Sequence, residues 1–406
     1  MREDAFKIIK ETIADVLPDR IVRETMQQLS LKGAVYIVAI GKAAWIMADT
    51  AAKVLGSGFQ KGVIVTKYGH SKGSIEHFQI IEAGHPVPDE NSILGAEKIL
   101  EMFQEIPSTA TILFLISGGG SSLVELCMPG IGLNDIQNVT EQLLKCGANI
   151  SEINVLRKKL SAIKGGKLSG YLKEQRKCSI ILSDIIGNKE DMIASGLTFP
   201  DRSTKEDAEA IIEKYRLNLP DNILKVIQNS SAVENTRVEN HVVGSVEELC
   251  QAAAKHAEEL GYHAHIVSTA LQCEACEASR WLIEDCSPGY ESPCAIIAGG
   301  ETVVVVKGKG LGGRNQEIAL SGAKYLSGKK NVLLFSIGSD GTDGPTDAAG
   351  GIVDGDSRAL LEKQDISIDE VLAQNDSYHA LEKINGLIKT GATGTNVNDV
   401  TVLLKR

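Results

Sequence analysis

Several short stretches of this chain collect the residue types that handle anions and protons. Ser117-Gly-Gly-Gly-Ser-Ser122 follows the apolar run Ile112–Ile116. Its glycines, Gly118, Gly119 and Gly120, let the backbone approach a ligand closely and turn several N–H groups toward one point. Ser117, Ser121 and Ser122 add hydroxyls. The bland alternative is a tight strand-to-helix turn with serine caps, and it is not a P-loop, because Gly-x-x-x-x-Gly-Lys-[Ser/Thr] occurs nowhere in the chain. Lys42 follows Gly41 at the end of Ala34–Ile40. A lysine at the carboxyl end of a parallel strand either faces the ligand crevice, where its ammonium can hold phosphate or carboxylate oxygens, or is an ordinary solvated surface lysine, and position alone does not choose between them. Lys164, beside Gly165-Gly166, fits anion binding in the same way, whereas Lys158 and Lys159 read as a solvated helix face.

The densest polar segment is Gly338-Ser-Asp-Gly-Thr-Asp-Gly-Pro-Thr-Asp-Ala-Ala-Gly-Gly351, with Asp340, Asp343 and Asp347, and Asp354 just beyond. Hard carboxylate oxygens on a loop suit Mg²⁺, which keeps several waters and bridges to substrate phosphates. Thr390-Gly-Ala-Thr-Gly-Thr-Asn-Val-Asn-Asp399 is a hydrogen-bonding loop before the last strand. Gly308-Lys-Gly-Leu-Gly-Gly313 spells the dinucleotide fingerprint, but the next acidic strand end, Asp340, lies 27 residues past Gly313, where about 20 are wanted. Arg314 directly after these glycines suggests a guanidinium presented to phosphate. His85, in Gly-His-Pro, could serve a substrate carboxylate or act as a base, or simply order a loop. Cys273 and Cys276 have zinc-like spacing, but Cys286 and Cys294 follow at the wrong gaps for a knuckle, so the segment reads as structural.

The elements that must position these groups alternate strand, glycine and helix. Unbroken apolar strands separated by helical patterns indicate a parallel sheet covered on both faces, an α/β layout with ligands at the carboxyl ends of the strands. The texture changes around residues 218–240, so two domains are expected, 1–232 with a Rossmann-like sheet and 233–406 with a mixed sheet. Pro293–Ala298 and Thr302–Val306 look like a tight hairpin through Gly299-Gly300. The 406 residues carry a formal charge of −11, which argues against a general nucleic-acid binder. No apolar run reaches the ~20 residues of a bilayer span. Eight dispersed cysteines fit a reduced, cytoplasmic protein. Forty glycines and only 4% aromatic residues suit a small polar ligand better than stacked rings.

Taken together, Ile40-Gly-Lys-Ala, Ala83-Gly-His-Pro-Val-Pro-Asp89, Ile116-Ser-Gly-Gly-Gly-Ser-Ser, Leu160-Ser-Ala-Ile-Lys-Gly-Gly, Ser183-Asp-Ile-Ile-Gly187, Gly299-Gly-Glu-Thr302, Gly312-Gly-Arg-Asn-Gln-Glu317, Ser339–Gly351 and Thr393–Asp399 resemble the glycerate 2-kinase family, whose C-terminal part is the MOFRL domain. Departures are local: Leu197 and Ala392 stand where the family usually has proline, and Lys159 where it often has histidine. The resemblance implies two α/β domains with the active site in the cleft between them, and phosphorylation of D-glycerate by ATP with Mg²⁺ to give 2-phosphoglycerate. It implies that Lys42, Glu301, Arg314, Asp340 and Asn396 are catalytic. On this reading Ser117–Ser122 and Lys164 hold nucleotide phosphates, Asp340 and Asp343 hold the metal, and His85, Asp184 and Asn398 contact substrate. Asp340 and Glu301 both remain open as the carboxylate that orients or deprotonates the hydroxyl. The implied partners are small molecules, with no nucleic acid or membrane, and the chain is expected as a monomer or homodimer. The rivals are an NAD(P)-dependent hydroxypyruvate reductase and a non-catalytic nucleotide or sugar-phosphate binding protein.

Overall fold

The computed structural model describes residues 1–183, 190–230 and 237–406. It divides into two compact units, Val22–Val243 and a second made of Met1–Ile21 with Gly244–Arg406. Asp184 and the expected boundary near residue 233 lie outside the described residues.

In the Val22–Val243 unit the strands are β1 (Val35–Ile40), β2 (Phe59–Lys67), β3 (Phe78–Ala83), β4 (Thr111–Ile116), β5 (Arg176–Leu182) and β6 (Glu239–Val243). They form one parallel sheet in the order β3-β2-β1-β4-β5-β6, the Rossmann order. β4 is buried at every position, as expected of a strand covered on both faces. Helix Glu90–Glu105 begins at a capping box in which Asp89 accepts from the Ser92 N–H and the Ser92 hydroxyl accepts from the Asp89 N–H, and its face of Ala96, Ile99 and Met102 enters the sheet's core. Helices Leu133–Lys145, Ile150–Leu160, Lys205–Tyr215 and Asp221–Gln228 build a separate apolar cluster around Leu143, Leu156 and Ile223.

The second unit carries β7 (His263–Leu271), β8 (Cys294–Gly300), β9 (Val332–Gly338), β10 (Gly350–Asp354), β11 (Leu387–Ile388) and β12 (Asp399–Lys405), in the order β11-β10-β9-β12-β8-β7. Only β7 and β8 pair in parallel; β12 runs antiparallel to both β8 and β9. The mixed sheet is as expected, but the hairpin is not there. The positions beside β8 are taken by β12 on one side and β7 on the other, and Leu271 backbone lies 2.3 Å from where a Gly300 side chain would begin. Thr302–Val306 therefore run as irregular chain with one bridge from Val303 to Glu274.

The units also depart from the expected spans at both ends. β6 hydrogen-bonds along β5 from Cys178/Glu239 to Leu182/Val243, which carries residues 239–243 into the first sheet. Helix Arg2–Asp15 buries Ala5, Ile8 and Ile9 and belongs with the second unit. There Asp15 meets His256 Nε2 at 3.0 Å and Asp4 accepts from Tyr262 Oη at 2.7 Å. An amphipathic helix docks wherever its apolar face is covered, whatever its place in sequence.

The basic run after Ile150 is not solvated either. Lys158 and Lys159 are 3% and 6% exposed and pair with Asp191 at 2.8 Å and Asp201 at 2.9 Å. Lys164 is fully buried, donating to the Val124 carbonyl at 3.2 Å and to Glu125. Its ammonium is committed inside the core instead of being offered to an incoming phosphate, and burial pulls its pKa below the ordinary lysine value. Breaking such a pair strands a charge in a low-dielectric interior. Glu125→Gln should lower unfolding stability by roughly 3 to 5 kcal/mol in urea titrations, while the Glu125→Leu/Lys164→Met double variant should lose much less. Equal losses for the two would contradict a net cost of an uncompensated charge.

Candidate functional site

Two clusters of polar groups form, one in each unit. In the first, the loops after β1 and β4 meet where the strand order reverses, the position at which open α/β sheets take ligands. Lys42 N–H donates to the Gly118 carbonyl at 3.0 Å, Ala43 N–H to Ser117 Oγ at 3.0 Å, and Ser117 N–H to Ile40 O at 2.9 Å. Gly41 makes this possible: at φ +130°, an added Cβ would lie 2.1 Å from Ser117 Oγ. The space above Gly119 (φ +88°) is bounded by His85 Nε2 at 3.2 Å and Lys42 Cε at 3.4 Å. Lys42, His85 and the glycine turn are thus brought together. The N–H groups of Gly119, Gly120 and Ser121 have no protein partner among the described residues, nor does the Lys42 ammonium. Three N–H donors, an ammonium and an imidazole around one point can hold a phosphate or carboxylate.

The serines are less available than their sequence suggests. Ser117 accepts from Ala43, Ser122 Oγ donates to the Gly119 carbonyl at 3.1 Å, and Ser121 Oγ contacts Ser195 Oγ at 2.8 Å. Ser195 in turn donates to Asn154 Oδ1 at 2.8 Å. Ala194, Ser195 and Gly196 all have left-handed φ, at 48°, 54° and 70°, a strained turn that the two hydroxyl contacts hold in place.

Sequence reasoning missed two basic residues here. Lys67 ends β2 beside Ala83 of β3, and His70 Nδ1 lies 3.2 Å from the Lys42 carbonyl. The strand-end argument made for Lys42 applies equally to Lys67. Their effect registers on His85, whose pKa is lowered to about 4, first by burial and then by the charges of Lys42, Lys67 and His70. His85 is therefore neutral near pH 7.

In the second unit the topology gathers the acids. Asp399, the first residue of β12, is in register with Gly300 at the end of β8 and Gly338 at the end of β9, so Glu301 and Asp340 follow beside it. Arg314, at the start of helix Arg314–Leu326, grips Asp399 as a fork, Nε to Oδ2 at 2.5 Å and Nη2 to Oδ1 at 3.0 Å. Its Nη1 donates to Glu301 Oε1 at 2.9 Å, and Asn398 Nδ2 lies 3.4 Å from Glu301 Oε2. Burial is the largest influence on Asp399 and pushes its carboxyl up to about 6, against the pull of the guanidinium. Asp399 was part of a noted loop but was not assigned; its signal was an acid at the first position of an apolar strand.

The acidic loop divides. Asp343 is 3% exposed and caps the Arg314–Leu326 helix, accepting from the N–H groups of Asn315 at 3.2 Å and Gln316 at 2.8 Å and from Gln316 Nε2 at 3.0 Å. Both of its oxygens are engaged, and burial raises its pKa, so it does not offer the open metal ligand expected of it. Asp347 pairs with Lys389 and Tyr378, and Asp354 caps the turn at Ser357. Asp340 differs: Oδ1 accepts from Thr342 N–H at 2.9 Å and Oδ2 has no protein partner among the described residues. Asn396 is exposed in the same loop system, where Thr393 N–H donates to the Asp340 carbonyl. No cluster of three or more His, Cys, Asp or Glu suited to a metal exists among the described residues. Mg²⁺ nevertheless needs only one or two carboxylates when phosphates complete its shell, and Asp340 fits that requirement. Cys273 and Cys276 are free thiols with pKa values raised by burial, in keeping with a structural role.

The fingerprint glycines have a packing explanation. Side chains at Gly308, Gly310 and Gly312 would run into the 374–377 segment at 2.2 to 2.4 Å.

Residues 4–228 match a domain of unknown function, DUF4147, and residues 294–399 match the MOFRL family. A D-glycerate 2-kinase of Thermotoga maritima is 47% identical over 99% of this chain and 98% of its own length. A glycerate 2-kinase of Pyrococcus horikoshii is 39% identical over 100% and 97%. The crystal structure of a Thermotoga maritima glycerate kinase matches with a TM-score of 0.96 at 47% identity, covering 100% of this chain and 99% of that one. Among the described residues no helix is long and apolar enough to cross a membrane.

Because the His85 pKa is depressed, its stability contribution is complete above the ordinary value of about 6.5 and is lost as pH falls toward 4. Imidazole resonances in the free protein should give a His85 midpoint near 4, moving upward when inorganic phosphate is added. A midpoint at the ordinary value, unmoved by phosphate, would remove the cationic surroundings from the account.

Proposed function

The chain belongs to the glycerate 2-kinase family, and from that premise we propose that it transfers the γ-phosphoryl group of ATP to the 2-hydroxyl of D-glycerate, giving 2-phosphoglycerate and ADP. The observation that carries this reading is the anion cradle at the strand-order reversal. The N–H groups of Gly119–Ser121 and the Lys42 ammonium, without protein partners among the described residues, lie with a neutral His85 about one small volume, and Lys67 adds its charge to His85. Phosphoryl transfer asks for positioning and charge stabilisation, with little covalent chemistry from the protein.

Lys42 is assigned to the phosphoryl oxygens. Arg314 uses three N–H groups on Asp399 and Glu301 and keeps two of its five, enough for a second two-point contact. Glu301, held firmly on one oxygen and loosely on the other, is suited to orient the glycerate hydroxyl and accept its proton. Glu301, Asp340 and Asp399 outnumber Arg314, so this cluster would repel a bare triphosphate. Mg²⁺, when bound with the nucleotide, supplies the missing positive charge, and Asp340 with its open oxygen is the residue that would hold it. Asn396 and Asn398 add amide contacts beside it.

Phosphoglycerate should form from D-glycerate, ATP and Mg²⁺, stop on addition of EDTA, and resume with excess Mg²⁺. Lys42→Ala and Arg314→Ala should each lose about 10²-fold or more in kcat, on the scale of removing one preorganised charge-stabilising donor, with circular dichroism unchanged. Near-normal turnover in either would remove that residue from the mechanism. Oxidation of NADH or NADPH by hydroxypyruvate, with no phosphorylation, would establish the reductase instead. ADP binding with no product in either assay would leave a binding protein.

A further inference from the structure

Arg314 and Glu301 form only one end of a cavity of about 810 Å³ that lies wholly within the second unit. Its size falls in the range of pockets for nucleotide-sized ligands and far exceeds the needs of a three-carbon acid. One wall is the irregular segment after β8, with Val303, Val304 and Val306 facing the cavity. A run of four β-branched residues outside any sheet is unusual, because such side chains favour covered, pleated surroundings. Here Val303, Val305 and Val306 are 53%, 51% and 76% exposed, a patch of apolar surface with nothing over it.

The backbone of this wall is equally unfinished. Val303 exchanges hydrogen bonds with Cys273 and Ala275, and the Val305 carbonyl accepts from Asn375 Nδ2. The N–H and C=O groups of Val304 and Val306 have no partner among the described residues. An extended apolar strip with free alternating donors and acceptors suits a flat heteroaromatic ring carrying both kinds of group along one edge. The same Asn375 Nδ2 that reaches the Val305 carbonyl also donates to one carboxylate oxygen of Glu317, another lining residue, 4% exposed, at 2.9 Å. Its other oxygen has no protein partner among the described residues and can accept from a sugar hydroxyl.

We infer that this cavity is the nucleoside site: the base lies on Val303–Val306, the ribose reaches Glu317, and the phosphates run toward Arg314. The inference rests on the kinase reading for the identity of the nucleotide, but its test does not depend on turnover. ADP binding to the full chain is measured by calorimetry, alongside KM for ATP and for D-glycerate. Val304→Trp, which fills the cavity, and Val306→Lys, at a position exposed enough to accept lysine, should each weaken ADP at least tenfold. They should raise KM for ATP in parallel and leave KM for D-glycerate within about twofold. Hydrogen exchange at Val304–Val306 should slow when ADP is added. Wild-type ADP affinity and exchange in both variants, with turnover intact, would overturn the nucleoside site while leaving the kinase reading standing. Absence of glycerate phosphorylation with ADP binding still lost in the variants would do the reverse.

Discussion

The contact on which the candidate chemistry depends is the close approach of Gly41 to Ser117. Parallel strands β1 and β4 end level, with Ile40 opposite Ile116, and their loops must leave the sheet on diverging paths. The backbone hydrogen bonds from Lys42 to Gly118 and from Ser117 to Ile40 hold those paths together for one residue more. Any side chain at position 41 would occupy the Ser117 hydroxyl, so this junction requires glycine. Its consequence is chemical: the next residue, Lys42, is delivered beside Gly119 and His85, and its ammonium has no acidic partner among the described residues.

The second unit solves the opposite problem, holding one arginine among acids. Asp343 fixes the first turn of the Arg314–Leu326 helix by accepting from its leading N–H groups, where the helix dipole favours a negative charge. Arg314 is thereby aimed at Asp399, which β12 places between the ends of β8 and β9. A planar fork on a buried carboxylate leaves little freedom to the remaining N–H groups. The acid surplus around it is what the proposed entry of a polyphosphate together with a divalent cation rests on.

Strands β1 and β4 were legible in the sequence because they are continuous apolar runs that end at or beside glycine, a local signal, whereas β6 pairs with β5 instead of lying in the second domain as expected. Lys42 and the Ser117–Ser122 turn followed from the same punctuation, whereas His85 stood out only within Gly-His-Pro and in the resemblance. What failed was what depends on distant partners. The Val303–Val306 run has strand composition, yet β12, nearly a hundred residues on, takes the neighbouring place. Lys164 has the flanking glycines of a phosphate binder, yet Glu125 claims it in the core. Asp343 and Asp340 stand three residues apart and look alike; one is spent on a helix cap and the other keeps an oxygen open. Composition marks a loop as polar, and only the fold says which polar groups are already satisfied.

The central claim is a regiospecific transfer to D-glycerate, and the product's phosphorus spectrum addresses it directly. After reaction of the wild-type chain with ATP, Mg²⁺ and D-glycerate, the proton-coupled ³¹P signal of the new monoester should be a doublet, from the lone proton on the 2-carbon. A triplet from a phosphorylated CH₂ group, or release of inorganic phosphate alone, would contradict the account.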